Sequence, residues 1–478
     1  MTRWGWVPRR AKRAVRRTIR SPSTSTDTSP SRSPQRPHAA DDRFSPNSAR
    51  AQTDAVRFVQ AELARQANQA LEARVRQRLD AGATLRVSFI VSERAKWNTQ
   101  GVLELLAERG AEVGVTLMRM ERQGESEQDA RTTYAEERRF FSELGVPVTA
   151  GYDWDAQRHL PPESIDADVV FLQQPWRMEQ FPRRLLGRAL TSYLHYGIAL
   201  MDNTDMHYAI PGFHPYLWRH YAPTEYHRDM HLEVDPSAWD RSRVVGYPKL
   251  DRYLDPPPTT SHLWSDTSET RHRVVVAPHH SVGPTGLKMS TFAWSGPALL
   301  SLARGRADVS WLYKPHPRLR HAVVTNDVMS RADFDAYERS WAQLPNVAVY
   351  TGPDYLDAFR TSDALITDSG SFLAEYAPTG RPIIRLRRGD SIGFNRAGRA
   401  LAASTLDVWS PEELPAALEA ALAGPSGPER RRSSLTIGPA CSQRRSSAAI
   451  VDDILTALAD PEGGSTVPDG PSSHSPGA

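Results

Sequence analysis

Residues 84–118, TLRVSFIVSERAKWNTQGVLELLAERGAEVGVTLM, decide the fold class of this 478-residue chain. The segment opens with an apolar, β-branched run, passes through a polar loop into an amphipathic helix that ends at Gly110, and closes with a second apolar run. The apolar pattern changes from a strand period to a helix period and back. This order predicts a β–α–β unit with two parallel strands.

A second block of the same kind lies in the C-terminal half of the chain. Strand-like runs in RHRVVVAPHH (271–280), VSWLYKPHP (309–317) and DALITDSG (363–370) alternate with helix-like stretches. Two alternating blocks predict an α/β protein with two Rossmann-like domains facing a cleft. We place the first domain at 51–245 and the second at 246–458.

The two ends of the chain differ in composition from the part predicted to fold. Residues 1–50 and 459–478 are rich in serine and proline, which predicts disordered tails. Residues 1–20 carry eight Lys or Arg side chains and no acid, next to Trp4 and Trp6. A basic, aromatic segment suits an anionic membrane surface, with a solvated tail as the alternative.

Composition excludes several classes of protein. The single cysteine, Cys441, cannot form an internal disulfide, and no zinc-binding spacing occurs, so we expect a reducing cytosol. No apolar run is long enough for a transmembrane helix, and no apolar stretch follows the N-terminal charges, so we expect neither a membrane span nor a secretory signal. The part predicted to fold has no nucleic-acid module, so nucleic acid is not an expected partner. We therefore expect a cytoplasmic protein, peripheral at the inner face of the cell membrane.

Charged residues follow the apolar run at 309–313 directly, in the sequence KPHPR (314–318). Lys314 and His316 are two residues apart, so an extended backbone presents both on one side, and the intervening prolines stiffen that presentation. A lysine and a protonated histidine can hold a diphosphate or protonate a leaving oxygen. We therefore predict that Lys314 and Arg318 bind substrate and that His316 is catalytic, with a surface turn as the alternative.

The stretch DALITDSGSFLAEYAPTG (363–380) predicts a strand, a tight turn and a helix. The free backbone N–H groups and the dipole at the start of a helix favour an anion, and a glycine there lets a phosphate approach the backbone. An ordinary Ser or Asp cap is the alternative. The candidate ligand-binding residues of this turn are Asp368, Ser369, Gly370 and Ser371.

Histidines mark two further segments. His279 and His280 follow the apolar run of VVVAPHHSV (274–282). Adjacent side chains point in different directions and no third ligand is evident, so we expect substrate contacts or packing there and no metal site. In the first half, His195 lies between aromatic residues in TSYLHYGIALMDN (191–203). His195 is the candidate general base for an acceptor, with a structural role as the alternative.

Four motifs in this order resemble those of the CDP-glycerol glycerophosphotransferase family, which builds teichoic acids and capsules. They are GYPKLDRYL (246–254), VVVAPHHSV, WLYKPHPRL and ITDSGSFLAEYAPTGRPII (366–384). The resemblance covers about residues 190–390 and implies a GT-B-like fold with the nucleotide donor in the C-terminal half. It places the family's KxHP histidine on His316, and the proposed catalytic histidine of the HGTPLK motif on His195. It also adds Thr367 to the phosphate-binding turn and Glu375 to the ligand-binding residues.

The resemblance implies a cytoplasmic phosphotransferase. It would move glycerophosphate, or a related alditol phosphate, from a CDP-activated donor to a hydroxyl of a lipid-linked or polymeric cell-surface acceptor. The donor, CDP-glycerol or CDP-ribitol, would be a substrate, and no other cofactor is expected. Departures such as HYGIALM for HGTPLK indicate a subgroup with another donor or acceptor. Two alternatives stay open: a GT-B glycosyltransferase that uses a nucleotide sugar for cell-surface polysaccharide, and a non-catalytic nucleotide-binding scaffold.

Overall fold

The computed structural model describes residues 49–459, apart from 122–124, 209, 257, 259–260, 353 and 424–444. The tails predicted from the sequence therefore lie almost wholly outside the described residues, as does the basic segment 1–20. The described chain forms two α/β lobes, each built on a parallel sheet. None of its helices is both long and apolar enough to cross a membrane.

The N-terminal lobe contains a seven-stranded parallel sheet and a small antiparallel hairpin. The sheet strands are β1 (Arg86–Val91), β2 (Glu112–Leu117), β3 (Val148–Ala150), β6 (Val169–Leu172), β7 (Leu190–Tyr193), β8 (Arg219–Ala222) and β9 (Ser242–Val244). The hairpin strands are β4 (Tyr152–Asp153) and β5 (Arg158–His159). The helices are α1 (Ala49–Asp80), α2 (Gln100–Glu108), α3 (Glu127–Ser142), α4 (Phe181–Leu185), α5 (Thr204–Tyr208) and α6 (Glu225–Val234).

The C-terminal lobe contains a six-stranded parallel sheet. Its strands are β10 (His272–Ala277), β11 (Val309–Tyr313), β12 (Val347–Val349), β13 (Ala364–Thr367), β14 (Ile383–Leu386) and β15 (Leu406–Val408). The helices are α7 (Phe292–Arg304), α8 (Leu319–Thr325), α9 (Arg331–Ala342), α10 (Leu356–Thr361), α11 (Gly370–Tyr376), α12 (Arg396–Ala402) and α13 (Leu414–Leu422), and the described part of the chain ends in a further helix, α14 (Ser446–Ala459). Strands such as β11 and β13 are buried along their whole length, which explains their continuous apolar runs.

Both sheets are doubly wound, as the alternating sequence pattern predicted. The N-terminal order is β3-β2-β1-β6-β7-β8-β9, and the C-terminal order is β12-β11-β10-β13-β14-β15. In each sheet the first strand lies inside, and the chain then builds outward on either side of it. Loops leave in opposite directions where the order reverses, and this opens a crevice at the carboxyl ends of the strands. These switch points lie between β1 and β6, and between β10 and β13.

The last helix, α14, returns the chain to the N-terminal lobe. Its side chains buried in the core of that lobe are Ile450, Val451, Ile454 and Leu458. On another face, Asp453 accepts hydrogen bonds from Arg219 (3.0 Å) and Tyr221 (2.9 Å). The sequence analysis assigned 246–458 to one C-terminal domain because these residues are continuous in the chain. The structure corrects that boundary, because α14 completes the core of the other lobe.

Asp251 fixes the start of α14. Its buried carboxylate accepts hydrogen bonds from the backbone N–H groups of Ser446 (2.7 Å) and Ser447 (2.8 Å). The first N–H groups of a helix have no partner inside the helix, so a carboxylate from elsewhere satisfies them. Asp251 belongs to the motif GYPKLDRYL and lies in the segment that joins the lobes, so one residue of that motif acts as a helix cap.

We expect Asp251→Ala to lower the free energy of unfolding by about 2–4 kcal/mol, because two buried N–H groups lose their acceptor. The matched control is Asp255→Ala, since Asp255 pairs with Arg445 (2.6 Å) where both side chains are at least 36% exposed. Asp255→Ala should lower the free energy of unfolding by less than about 1 kcal/mol. Urea unfolding measures both, and equal losses would contradict the capping role of Asp251.

Candidate functional site

The candidate site lies at the switch point of the C-terminal sheet. His279 and His280 follow β10, Lys314 and His316 follow β11, and Asp368 follows β13. Because β10 pairs in parallel with both β11 and β13, the carboxyl ends of all three strands meet at one edge of the sheet. The sequence placed all five residues at strand ends, and the structure brings them to this edge.

Asp368 organises the loop that follows β10. Its carboxylate accepts hydrogen bonds from the backbone N–H of His279 (2.6 Å), and from the N–H (2.7 Å) and hydroxyl (3.0 Å) of Thr291. Burial raises the pKa of Asp368 to about 6, against the effect of these donors. Both carboxylate oxygens are therefore engaged within the protein, and Asp368 positions the histidine loop.

Three imidazole rings form the histidine cluster: His279, His280 and His316. The ring centroids of His279 and His280 are 4.3 Å apart, and those of His280 and His316 are 4.0 Å apart. One ring nitrogen from each histidine lies within 4.8 Å of the others. The sequence analysis found no third partner for the adjacent histidines, whereas the fold brings His316 to them from the next strand.

Hydrogen bonds to the backbone fix the tautomers of two rings. His279 Nδ1 accepts from the N–H of Ser281 (3.2 Å), and His316 Nδ1 accepts from the N–H of Arg318 (3.0 Å). A neutral ring that accepts at Nδ1 carries its proton at Nε2. A metal ligand needs a lone pair at the coordinating nitrogen, whereas an Nε2–H group donates to an oxygen. These two rings are therefore preset to donate to an oxyanion such as a phosphate.

The histidine cluster is uncharged at neutral pH. Burial, with the neighbouring histidines and Arg318, lowers the pKa of His316 to about 2. Burial lowers the pKa of His279 to about 3 and that of His280 to about 4. The sequence argument treated His316 as a cation. The structure corrects this, because a buried ring beside two other imidazoles and two cationic side chains is favoured in its neutral form.

Lys314 supplies the buried positive charge of the site. It is 6% exposed, and its ammonium lies 4.9 Å from the centre of the Tyr355 ring and 5.8 Å from that of Tyr350. No described residue accepts a hydrogen bond from this ammonium. Burial, and then the charge of Lys249, lower the pKa of Lys314 to about 8. The ammonium is therefore mostly protonated at neutral pH and has no acceptor of its own.

Glu375 is engaged by a second lysine. Lys249 Nζ lies 3.1 Å from the carboxylate of Glu375 and donates to the hydroxyl of Tyr355 (2.6 Å). The Tyr355 hydroxyl in turn donates to Glu375 (2.5 Å). Two lysines, Lys249 and Lys314, thus share one buried carboxylate, and a net positive charge is left beside the histidine cluster. Glu375 was predicted to contact ligand. In the structure its carboxylate contacts Lys249 and Tyr355.

The turn after β13 is held by its own hydroxyl groups. Thr367 donates to the carbonyl of Ala277 (2.6 Å) and accepts from the N–H of Ser369 (3.0 Å). The hydroxyls of Ser369 and Ser371 lie 3.3 Å apart. A Cβ on Gly370 would meet Met289 at 3.0 Å and Met201 at 3.3 Å. Gly370 has no side chain, and the space beside its backbone is occupied by Met289 and Met201. The sequence predicted a phosphate at this position.

His195 lies in an enclosed aromatic setting. Its Nδ1 lies 2.6 Å from the carbonyl and 3.2 Å from the N–H of Gly197. Its Nε2 is buried without a partner among the described residues, and the nearby rings include His207 (4.8 Å) and Trp176 (5.7 Å). Burial lowers the pKa of His195 well below its ordinary value. These contacts are consistent with a structural role for His195, which was the alternative to its prediction as a general base.

The two lobes meet through a residue pair that the sequence analysis missed. Arg318 extends from the histidine cluster, and its guanidinium lies 3.7 Å from the carboxylate of Glu93 in the N-terminal lobe. Glu93 is also 2.9 Å from the ammonium of Lys96. Glu93 and Lys96 follow β1 in the segment VSERAK (91–96). Charged residues directly after a buried strand were the signal used for Lys314, and the same signal marks Glu93.

Comparison with solved structures identifies the fold. A UDP-GlcNAc 2-epimerase from Methanocaldococcus jannaschii, in complex with UDP-GlcNAc and UDP, matches with a TM-score of 0.51 and 14% identity, over 78% of this chain and 99% of that one. The S. aureus MnaA–UDP co-structure matches with a TM-score of 0.51 and 13% identity, over 78% and 97%. The fold is GT-B-like. Identities this low show the fold alone. No family model and no curated protein matches the chain.

These comparisons correct the family resemblance. The structural neighbours are UDP-GlcNAc 2-epimerases, so the prediction that the chain is a CDP-glycerol glycerophosphotransferase is wrong. The physical reason lies in the topology. A doubly wound sheet brings polar turns to the carboxyl ends of its strands whatever its chemistry, so short motifs at those ends are shared by different enzymes. The two Rossmann-like domains and the GT-B-like fold are confirmed.

Proposed function

We propose that the chain is a glycosyltransferase that binds a nucleotide-activated sugar between its lobes and transfers the sugar to an acceptor hydroxyl. The observation that carries this proposal is the largely buried ammonium of Lys314, which has no acceptor among the described residues and interacts electrostatically with His316 of the histidine cluster. Two largely buried ammonium groups, Lys249 and Lys314, share the single carboxylate of Glu375, which leaves a net positive charge that an anionic ligand would offset.

A diphosphate suits this donor set. Its oxygens would accept from Lys314 and from the Nε2–H groups of His279 and His316, and Arg318 would add a second positive charge. Hydrogen bonds to a charged group contribute about 1.5–3 kcal/mol each. The same groups would stabilise the nucleoside diphosphate as it leaves, since charge develops on its oxygen in the transition state. No metal ion is needed in this scheme, because the protein supplies the cations and donors.

The structural neighbours support a nucleotide-activated donor. Two of the matching proteins are described as bound to UDP or to UDP-GlcNAc. We infer a uridine nucleotide for this chain. The acceptor would be a lipid-linked or polymeric saccharide, and contact of residues 1–20 with an anionic membrane would bring the enzyme to such an acceptor.

A nucleotide panel tests the proposal. Thermal shift with UDP, UDP-GlcNAc, CDP and CDP-glycerol should show stabilisation by the uridine nucleotides, because a ligand at 100 times its Kd adds about 2.7 kcal/mol. Release of UDP from a UDP-sugar that requires an acceptor saccharide would establish transfer. Recovery of the sugar as an epimer without an acceptor would overturn transfer. Binding without turnover would favour the scaffold, and no response to any nucleotide would reject the donor site.

A further inference from the structure

The switch point of the N-terminal sheet faces the donor site and has its own set of side chains. Glu93 and Lys96 follow β1, Gln174 and Trp176 follow β6, and Tyr196 follows β7. The strand order reverses between β1 and β6, so a crevice opens at their carboxyl ends. We refer to these five residues as the acceptor face. Nothing in the donor-site chemistry described above uses them.

Glu93 is held between the two lobes. Its side chain is 10% exposed, and its carboxylate contacts Lys96 (2.9 Å) within its own lobe and Arg318 (3.7 Å) across the cleft. The backbone N–H of Arg318 is the donor that fixes the tautomer of His316. One arginine thus connects the histidine cluster to Glu93. A buried carboxylate lies one side chain away from the place where the diphosphate would sit.

The rest of the acceptor face combines aromatic rings with polar groups. The rings of Trp176 and Tyr196 are half-buried, with centroids 6.0 Å apart and planes inclined at 68°. Lys96 lies 5.4 Å from the centre of the Tyr196 ring and donates to Gln174 (2.7 Å). Aromatic faces with a few placed polar groups are typical of ligand sites, and this mixture suits a sugar, which has apolar C–H faces and a rim of hydroxyls.

We propose that Glu93 is the general base of the transfer, acting on a hydroxyl of a saccharide acceptor that rests on Trp176 and Tyr196. This inference depends on the proposed glycosyl transfer. The acceptor O–H proton passes to the Glu93 carboxylate as the acceptor oxygen bonds to the anomeric carbon. The bond from that carbon to the diphosphate oxygen breaks, and the nucleoside diphosphate leaves with the electron pair. The proton on Glu93 then returns to water.

Arg318 couples the two sites. Without donor, its guanidinium lies 3.7 Å from the carboxylate of Glu93. A bound diphosphate competes for the same guanidinium. Donor binding would therefore draw Arg318 away from Glu93 and open that side of the carboxylate to the acceptor hydroxyl. His195 is less suited to this role, because its Nε2 is buried among aromatic rings.

The test compares Glu93→Gln with Glu136→Gln. Glu136 is an exposed carboxylate that lies 3.8 Å from Arg94, so its variant controls for the loss of a nearby negative charge. We expect Glu93→Gln to lower kcat about 100-fold or more and to keep the Kd for UDP within about threefold, since a general base contributes about 10²–10⁴-fold. The acid limb of the pH–rate profile should disappear in Glu93→Gln. Trp176→Ala should raise KM for the acceptor and leave KM for the donor unchanged.

The possible failures can be told apart. If the wild type binds no nucleotide, the proposed function fails and this inference falls with it. If the wild type transfers sugar and Glu93→Gln keeps kcat within threefold with the same pH profile, Glu93 is not the base. A loss of UDP binding in Glu93→Gln, at an unchanged circular dichroism spectrum, would assign Glu93 to the donor site and overturn its role toward the acceptor.

Discussion

Lys314→Met is expected to weaken nucleotide binding about 100-fold and, in the same protein, to raise the melting temperature. Burial lowers the pKa of Lys314 from 10.5 to about 8, so the folded protein binds this proton less tightly than the unfolded chain does. The charged lysine therefore destabilises the fold at neutral pH. Methionine removes that penalty, on the order of 1–3 kcal/mol, and fills a similar volume. Affinity for UDP should fall about 100-fold, because the only buried cation without an acceptor among the described residues is lost.

The control for this variant is Arg320→Met. Arg320 lies two residues beyond Arg318, is 46% exposed at its side chain and pairs with Asp335, so its loss should change neither affinity nor stability appreciably. Calorimetric titration with UDP and thermal unfolding give both readouts. In the wild type, affinity should also decline above pH 8 as Lys314 loses its proton. A Lys314→Met protein that binds UDP like the wild type would show that the nucleotide does not contact Lys314.

The parts of the site that the sequence predicted are those set by local pattern and topology. Alternating strand and helix periods predicted both sheets, and a parallel sheet brings its carboxyl ends together. The positions of His279, Lys314, His316 and Asp368 at one edge followed from that rule alone. The position of each residue along its strand was enough, and no tertiary contact had to be known.

The parts that the sequence did not predict depend on contacts between distant segments. Glu375 is engaged by Lys249, more than one hundred residues earlier, and no local pattern specifies that ion pair. The apolar face of α14 around Ile450 packs into the core of the N-terminal lobe. The residues of that core come from much earlier in the sequence, so no local pattern indicates this contact. The protonation state of His316 depends on burial beside His280, which only the packing of β10 against β11 creates.

A steep loss of stability in acid is the second large expected effect, and its source is the histidine core of the N-terminal lobe. Its six members, all with lowered pKa values caused first by burial, are His195, His207, His214, His220, His227 and His231. The pKa is lowered to about 4 for His207 and His227 and to about 3 for His214. The charge of Arg241 adds to the effect on three of them.

The direction of the effect follows from proton linkage. In the unfolded chain these histidines titrate near pH 6.5, whereas in the folded protein they stay neutral well below that pH. Between the two pKa values the unfolded state binds more protons, so stability falls as the pH falls below about 6.5. Asp368 acts in the opposite direction between its ordinary pKa of 3.8 and its raised value of about 6. One carboxyl group does not offset six histidines.

We expect the free energy of unfolding to fall by about 1 kcal/mol for each histidine of the core between pH 7 and 5.5, which is enough to unfold a protein of ordinary stability. Urea unfolding at pH 7.5, 6.5 and 5.5 measures this slope. His207→Leu should reduce the total slope by roughly one tenth, because His159 and the three rings of the histidine cluster also have lowered pKa values and add to it. His321→Leu, at an exposed position of α8, should leave it unchanged. A stability that is the same at pH 7.5 and 5.5 would mean that the six rings are already protonated in the fold or reach water there. Both outcomes would contradict the burial of these histidines against Tyr193, Tyr208 and Trp176. A protonated imidazole among these rings would have neither water nor a counter-ion to stabilise its charge.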